Sequence, residues 1–201
     1  MKKLFGGLKI TYFQTVIFAV IAGAVTGSIL LVPFLENTSF QNIGICFEAW
    51  IIFAMIIIMN AEKPAEAGVK TFLFFLISQP IVYLVQVPFC WLHWQIFSYY
   101  PQWFFLTLLT LPGGWVAWYI KKDNLLSVFI LSIVTTLLST EGVFHLSTCI
   151  QKFPRQMISS VLCFGTVVFF VQTFIRKQRN RILVYGLTAV CTLLIWILSK
   201  V

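Results

Sequence analysis

The chain of 201 residues is 60% apolar, 17% aromatic and only 10% charged, with a mean hydropathy of +0.94. A soluble domain is roughly a quarter charged and about half apolar, so a soluble globular enzyme, a disordered chain and a secreted disulfide scaffold are all excluded. What remains is an all-α integral membrane protein, read as a single transmembrane domain over residues 1–201. Its net charge of +8 comes from 14 Lys and Arg against six acids. These basic residues lie in short segments between apolar runs, where anionic lipid headgroups rather than nucleic acid are the nearest counter-charge.

Seven apolar segments emerge, at 14–35, 41–61, 71–92, 102–120, 125–147, 156–175 and 182–199. Each is close to the roughly 20 residues that cross a bilayer as a helix, and the period-2 alternation of a membrane barrel is absent. The opening Met1-Lys2-Lys3 imitates a signal peptide. The apolar run behind it is longer than a signal core and has no convincing cleavage site, so it is expected to remain as the first span. Within it Ala19, Gly23 and Gly27 recur every four residues and form a small-residue face for helix packing, inside one chain or between two copies.

The second span carries Glu48, the one carboxylate well inside an apolar run. It counts to roughly 10 Å below the outer boundary at 1.5 Å per residue, and Gln86 on the third span counts to nearly the same depth. The two are therefore expected to meet, with Glu48 protonated when the site is empty and suited to proton coupling or to a hydrogen bond with a solute. A neutral Glu capped by a neighbouring helix is the plainer alternative. The connection Glu62 to Lys70 is polar and reads as a structured turn or docking surface.

On the third span Gln79, Tyr83, Gln86, Cys90 and His93 follow one another at spacings of 4, 3, 4 and 3. They fall within about 80° of one helical face. Pro80 and Pro88 are expected to kink this helix, and a kinked helix with a polar stripe suits a solute pathway; interhelical hydrogen bonding by the glutamines explains it equally. Trp91, Trp94, Tyr99, Tyr100 and Trp103 then form an outer aromatic belt. Pro112-Gly113-Gly114 is expected to break or bend the fourth span and expose backbone groups to a cavity.

Glu141 and His145 share a face of the fifth span at i, i+4. With Cys90 and His93 they form an outer polar cluster of possible ligands, but no metal-binding loop signature accompanies them. The reading is an interfacial ion pair, with no metal and no cofactor. The five cysteines, Cys46, Cys90, Cys149, Cys163 and Cys191, are odd in number and scattered through apolar sequence, which marks them as small buried hydrophobes. Arg176, Lys177, Arg179 and Arg181 form a basic cluster for anionic lipid or an acidic partner.

Seven spans place Lys2, Lys3, Lys9, Lys63, Lys70, Lys121, Lys122, Arg176, Lys177, Arg179 and Arg181 on one side and Lys152, Arg155 and Lys200 on the other. The positive-inside bias then puts the amino terminus in the cytoplasm and the carboxyl terminus outside. An odd central span allows a 3+1+3 plan, and a non-repeating bundle fits as well. That plan resembles the topology of the SWEET sugar transporters and the trimeric intracellular cation channels, whose signature motifs the chain lacks; the likeness is one of topology alone.

No Ser-His-Asp order, HExxH helix, phosphate loop or paired catalytic carboxylates are present, so an enzyme is not expected. The leading reading is a small transporter or channel of the cell membrane, with a pathway built from Glu48, Gln79, Tyr83, Gln86, Pro112, Gly113 and Gly114. The alternative is a non-catalytic subunit for assembly, anchoring or immunity, packed against another membrane protein. A lipid-directed enzyme using Glu141 and His145 as acid and base is the weaker third. Reporter fusions at Lys122 and at the carboxyl terminus test the topology, with cytoplasmic and external signals expected respectively; a cytoplasmic carboxyl terminus overturns both the seven-span count and the 3+1+3 plan.

Overall fold

The structure, a computed structural model, describes residues 4–36, 38–45 and 47–199; Lys2, Lys3, Cys46 and Lys200 lie outside them. Among the described residues every regular element is helical. Their α-helical segments are, in chain order, α1 (Tyr12–Leu30), α2 (Ser39–Ile45), α3 (Phe47–Asn60), α4 (Pro64–Gln86), α5 (Tyr100–Ala117), α6 (Leu125–Gln151), α7 (Met157–Phe174) and α8 (Gln178–Leu198). Among the described residues six stretches are long and apolar enough to cross a membrane: α1, α4, the run His93–Lys122 that contains α5, α6, α7 and α8. This is the make-up of a multi-pass membrane protein. The second apolar segment is helical on both sides of Cys46, in α2 and α3.

The chain divides into two compact units, one of Met1–Glu36 and Phe53–Trp118, the other of Asn37–Ile52 and Tyr119–Val201. The boundary therefore falls within α3. In the first unit α4 packs against both α1 and α5. Ala19, Gly23 and Gly27 are buried on α1, and the reason is steric: a Cβ on Gly23 would lie 2.5 Å from the Ser78 carbonyl oxygen, and one on Gly27 would lie 2.9 Å from that of Val82. On the other side of α4, a Cβ on Gly68 would lie 2.5 Å from the Leu111 carbonyl oxygen. Phe18, Phe53 and Phe74 fill the space beside these contacts, with ring centroids 5.0 to 6.1 Å apart.

Two polar side chains anchor the first unit's amino-terminal segment. The Asn60 carbonyl accepts from the amides of Gly6 (3.0 Å) and Leu8 (2.8 Å), while its amide donates to the Ile56 carbonyl (2.8 Å). Lys70 is buried; its ammonium donates to the Ile10 carbonyl and the Glu66 carboxylate, and it stands 5.0 Å from the centre of the Tyr12 ring. In the second unit α6 packs against α7 and α8. The Asn124 side chain caps α6 by accepting from the Ser127 amide at 2.9 Å. Thr135 and Thr188 share a hydrogen bond of 2.7 Å between α6 and α8.

Three expectations change at this level. The segment expected as a polar turn, 62–70, is mostly helix, because Pro64 suits a first helical position and Glu66 accepts from the amides of Glu62 and Lys63. The same helix ends at Gln86, ahead of Pro88 rather than kinked by it, since a proline has no amide hydrogen with which to continue the helical ladder. Pro112-Gly113-Gly114 does not break its span: α5 runs through all three, and Gly114 is where a Cβ would come within 3.1 Å of the Ala67 carbonyl oxygen on α4.

Helix contact through bare backbone makes Gly23 and Gly68 intolerant of a single methyl group. Gly23→Ala and Gly68→Ala are each expected to destabilise the protein by about 1–3 kcal/mol. Gly113→Ala, where no atom lies within 4 Å of the added carbon, should be neutral or stabilising by up to about 1 kcal/mol. Thermal unfolding in detergent measures all three, and equal midpoints would contradict this packing.

Candidate functional site

The site grows from the second unit. The Ser39 hydroxyl accepts from the Ser159 amide at 3.2 Å, and the Ser159 hydroxyl donates to the Ser39 carbonyl at 3.3 Å, joining α2 to the start of α7. The Ser160 hydroxyl donates to the Gly142 carbonyl at 3.1 Å, joining α7 to α6. Gly142 allows the two helices close: a Cβ there would stand 3.1 Å from Cβ of Cys163. One turn further along α6 is His145.

Glu48, in the first turn of α3, His145 on α6 and Cys163 on α7 converge. One ligand atom from each lies within 4.8 Å of the others, and all three residues are buried, Glu48 and Cys163 at 0% exposure. His145 Nε2 is 3.5 Å from Glu48 Oε1 and 4.0 Å from Glu141 Oε2. Neither oxygen of Glu48 has a hydrogen-bond partner among the described residues.

The orientation of the imidazole is set from the α6–α7 connection. Gln156 has left-handed backbone, φ 61°, and its side-chain oxygen is 3.1 Å from His145 Nδ1. An amide oxygen only accepts, so this contact is a hydrogen bond when Nδ1 carries the ring hydrogen, and the neutral ring then turns an Nε2 lone pair toward the Glu48 carboxyl. The Asn42 amide lies 3.5 Å from the same Nδ1, at the limit of a hydrogen bond. Nitrogen and oxygen lone pairs held this close favour a cation between them.

Glu141 and His145 thus lie near each other, in company with Glu48 and Cys163. Cys90 and His93, grouped with them in sequence, belong to the first unit. His93 is exposed, and its Nδ1 donates to the Val87 carbonyl at 3.3 Å. Cys90 packs on the apolar cluster of Tyr83, Val87 and Ile96. Of the other stripe residues, Gln79 is buried, Tyr83 lies 5.6 Å from Phe97 and 6.2 Å from Tyr100 between ring centroids, and the Gln86 amide donates to the Val82 carbonyl at 2.9 Å. Pro112 and Gly113 are exposed and Gly114 is buried.

Gln86 and Glu48 fall in different units, and the partner that the structure places beside Glu48 is His145. In the basic cluster, Arg176, Lys177 and Arg179 are exposed. Arg181 is turned to structure: its guanidinium donates to the carbonyls of Ile175 (2.7 Å) and Gln172 (3.2 Å) at the end of α7.

Cys163 and Gln156 are the members that sequence reasoning passed over. A cysteine in an apolar run reads as a small hydrophobe, and no spacing relates position 163 to 48 or 145. No family model, curated protein or solved structure matches the chain.

Because Gly142 sets the separation of α6 and α7, Gly142→Leu should force Cys163 away from His145. The expected cost is about 1–3 kcal/mol from overpacking, together with faster alkylation of Cys163 by a small maleimide in a variant whose other cysteines are Ser. A Leu variant with unchanged stability and unchanged Cys163 labelling contradicts this account.

Proposed function

We propose that the protein is a small transporter or channel that moves a small solute or ion, with Glu48 at the centre of its polar pathway. One observation carries the reading: a carboxyl group at 0% exposure, without a hydrogen-bond partner among the described residues, in a unit whose three longest helices are each apolar and long enough to cross a membrane. Such a group costs on the order of 3 kcal/mol at the centre of a bilayer. An apolar side chain of similar volume is commonly the more stable choice, so a carboxyl at this place is accounted for by what it binds.

On this reading the chain crosses the cell membrane seven times, the second crossing made by the segment that contains α2 and α3. The amino terminus is cytoplasmic, the carboxyl terminus external, and the arrangement 3+1+3. The exposed Arg176, Lys177 and Arg179 then meet anionic lipid on the cytoplasmic side. A second reading, a subunit packed against another membrane protein or a second copy, draws support from Phe89, Trp91 and Trp94, all at least 68% exposed in the connection after α4.

Purified protein in lipid vesicles tests the proposal, with proton, potassium and zinc flux followed by trapped dyes. Wild-type vesicles should exceed empty ones for at least one ion, and Glu48→Gln should lower that flux at least tenfold while preserving helix content and elution volume. Glu48→Leu should match or exceed the wild type in thermal stability and carry no flux. Absence of wild-type flux, or equal flux in both variants, overturns the transport reading.

A further inference from the structure

We propose that Glu48, His145 and Cys163 form a binding site for one divalent transition-metal ion of the zinc class. The proposal rests on the transport reading of this centre and names the ion that would be moved. Three features of the geometry lead to it.

The first is the donor set. Carboxylate, imidazole and thiolate together are zinc ligands, whereas calcium and magnesium require all-oxygen shells. Two ligand atoms bound tetrahedrally to zinc at about 2.0–2.1 Å lie about 3.4 Å apart. His145 Nε2 and Glu48 Oε1 are already 3.5 Å apart, and the Cys163 sulfur lies within 4.8 Å of both, so small side-chain rotations close the set.

The second is charge. When the metal binds, the Cys163 thiol gives up its proton to water, as does any protonated Glu48. Two anionic ligands and a neutral imidazole then balance a divalent cation to zero net charge. A buried site tolerates that sum far better than it tolerates an excess of either sign. A monovalent cation would leave the thiolate uncompensated.

The third is the outer shell. Metal-bound histidines commonly donate their second ring hydrogen to an oxygen that fixes the tautomer. The Gln156 side-chain oxygen stands 3.1 Å from Nδ1, placed to accept that hydrogen when Nε2 is the ligand. Glu141, 4.0 Å from Nε2 with its side chain 32% exposed, stands on the open side, where it can pass an ion inward or complete the fourth position in place of water.

Cobalt(II) titration of the purified full-length protein in detergent tests the site, read by the thiolate-to-cobalt charge-transfer band in the near ultraviolet. One equivalent should bind per chain and be displaced by zinc. Cys163→Ser should abolish the band, while Glu48→Gln and His145→Gln should each weaken binding at least tenfold. Gln156→Leu, which leaves all three ligands in place, should weaken it about 10- to 100-fold. Helix content and elution volume confirm that each variant folds. A wild type that binds no stoichiometric cobalt, or a band that survives Cys163→Ser, overturns the site. Cobalt binding without flux of zinc, protons or potassium in vesicles upholds the site and defeats transport; flux of protons or potassium without cobalt binding defeats the site and upholds transport.

Discussion

Between apolar helices in an apolar solvent, association gains little from hiding side chains, because lipid receives them as well as protein does. Close approach of backbones is what holds such helices together, and this chain obtains it from glycine. In the first unit α4 meets α1 across Gly23 and Gly27 and meets α5 across Gly68 and Gly114, with carbonyl oxygens where a side chain would be. In the second unit Gly142 brings α7 onto α6. The polar centre depends on that last contact, since it carries Cys163 to within reach of a histidine one turn away.

Among the described residues, buried hydroxyls without a hydrogen-bond partner occur in both units, but Asn60 and Lys70 of the first contrast with Glu48 of the second. In the first, Asn60 and Lys70 are matched to backbone carbonyls, amides and a carboxylate, and each ties the amino-terminal segment to the helices. These are structural hydrogen bonds, whose loss would leave a buried donor or acceptor costing about 1–3 kcal/mol. In the second, the Ser and Thr pairs between helices are matched in the same way, but Glu48 is not. Its carboxyl faces His145 Nε2 at 3.5 Å. A packing role accounts for Asn60; it does not account for Glu48.

The proposed function therefore rests on an imbalance. The stripe on α4, which drew attention by its regular spacing, is spent largely on an aromatic cluster and on a hydrogen bond within its own helix. Glu48, His145 and Cys163, which converge from three helices, share no regular spacing. Periodicity records which face of a helix avoids lipid, and a binding centre assembled from three helices leaves no period in any of them.

The sequence by itself determined the membrane class, the helical architecture and most helix positions. Each follows from composition and from the demand that backbone groups be satisfied where water is absent, and that demand acts locally. It also marked Glu48, Glu141 and His145 as out of place, because the cost of a polar group in an apolar run is a property of the residue. Only the tertiary structure decided that Cys163 joins them, that Gln156 orients the imidazole and that α5 runs unbroken through Pro112. Those outcomes depend on which helix lies against which, and helix packing is set by steric fits as small as one absent methyl group, which no single segment of the chain contains.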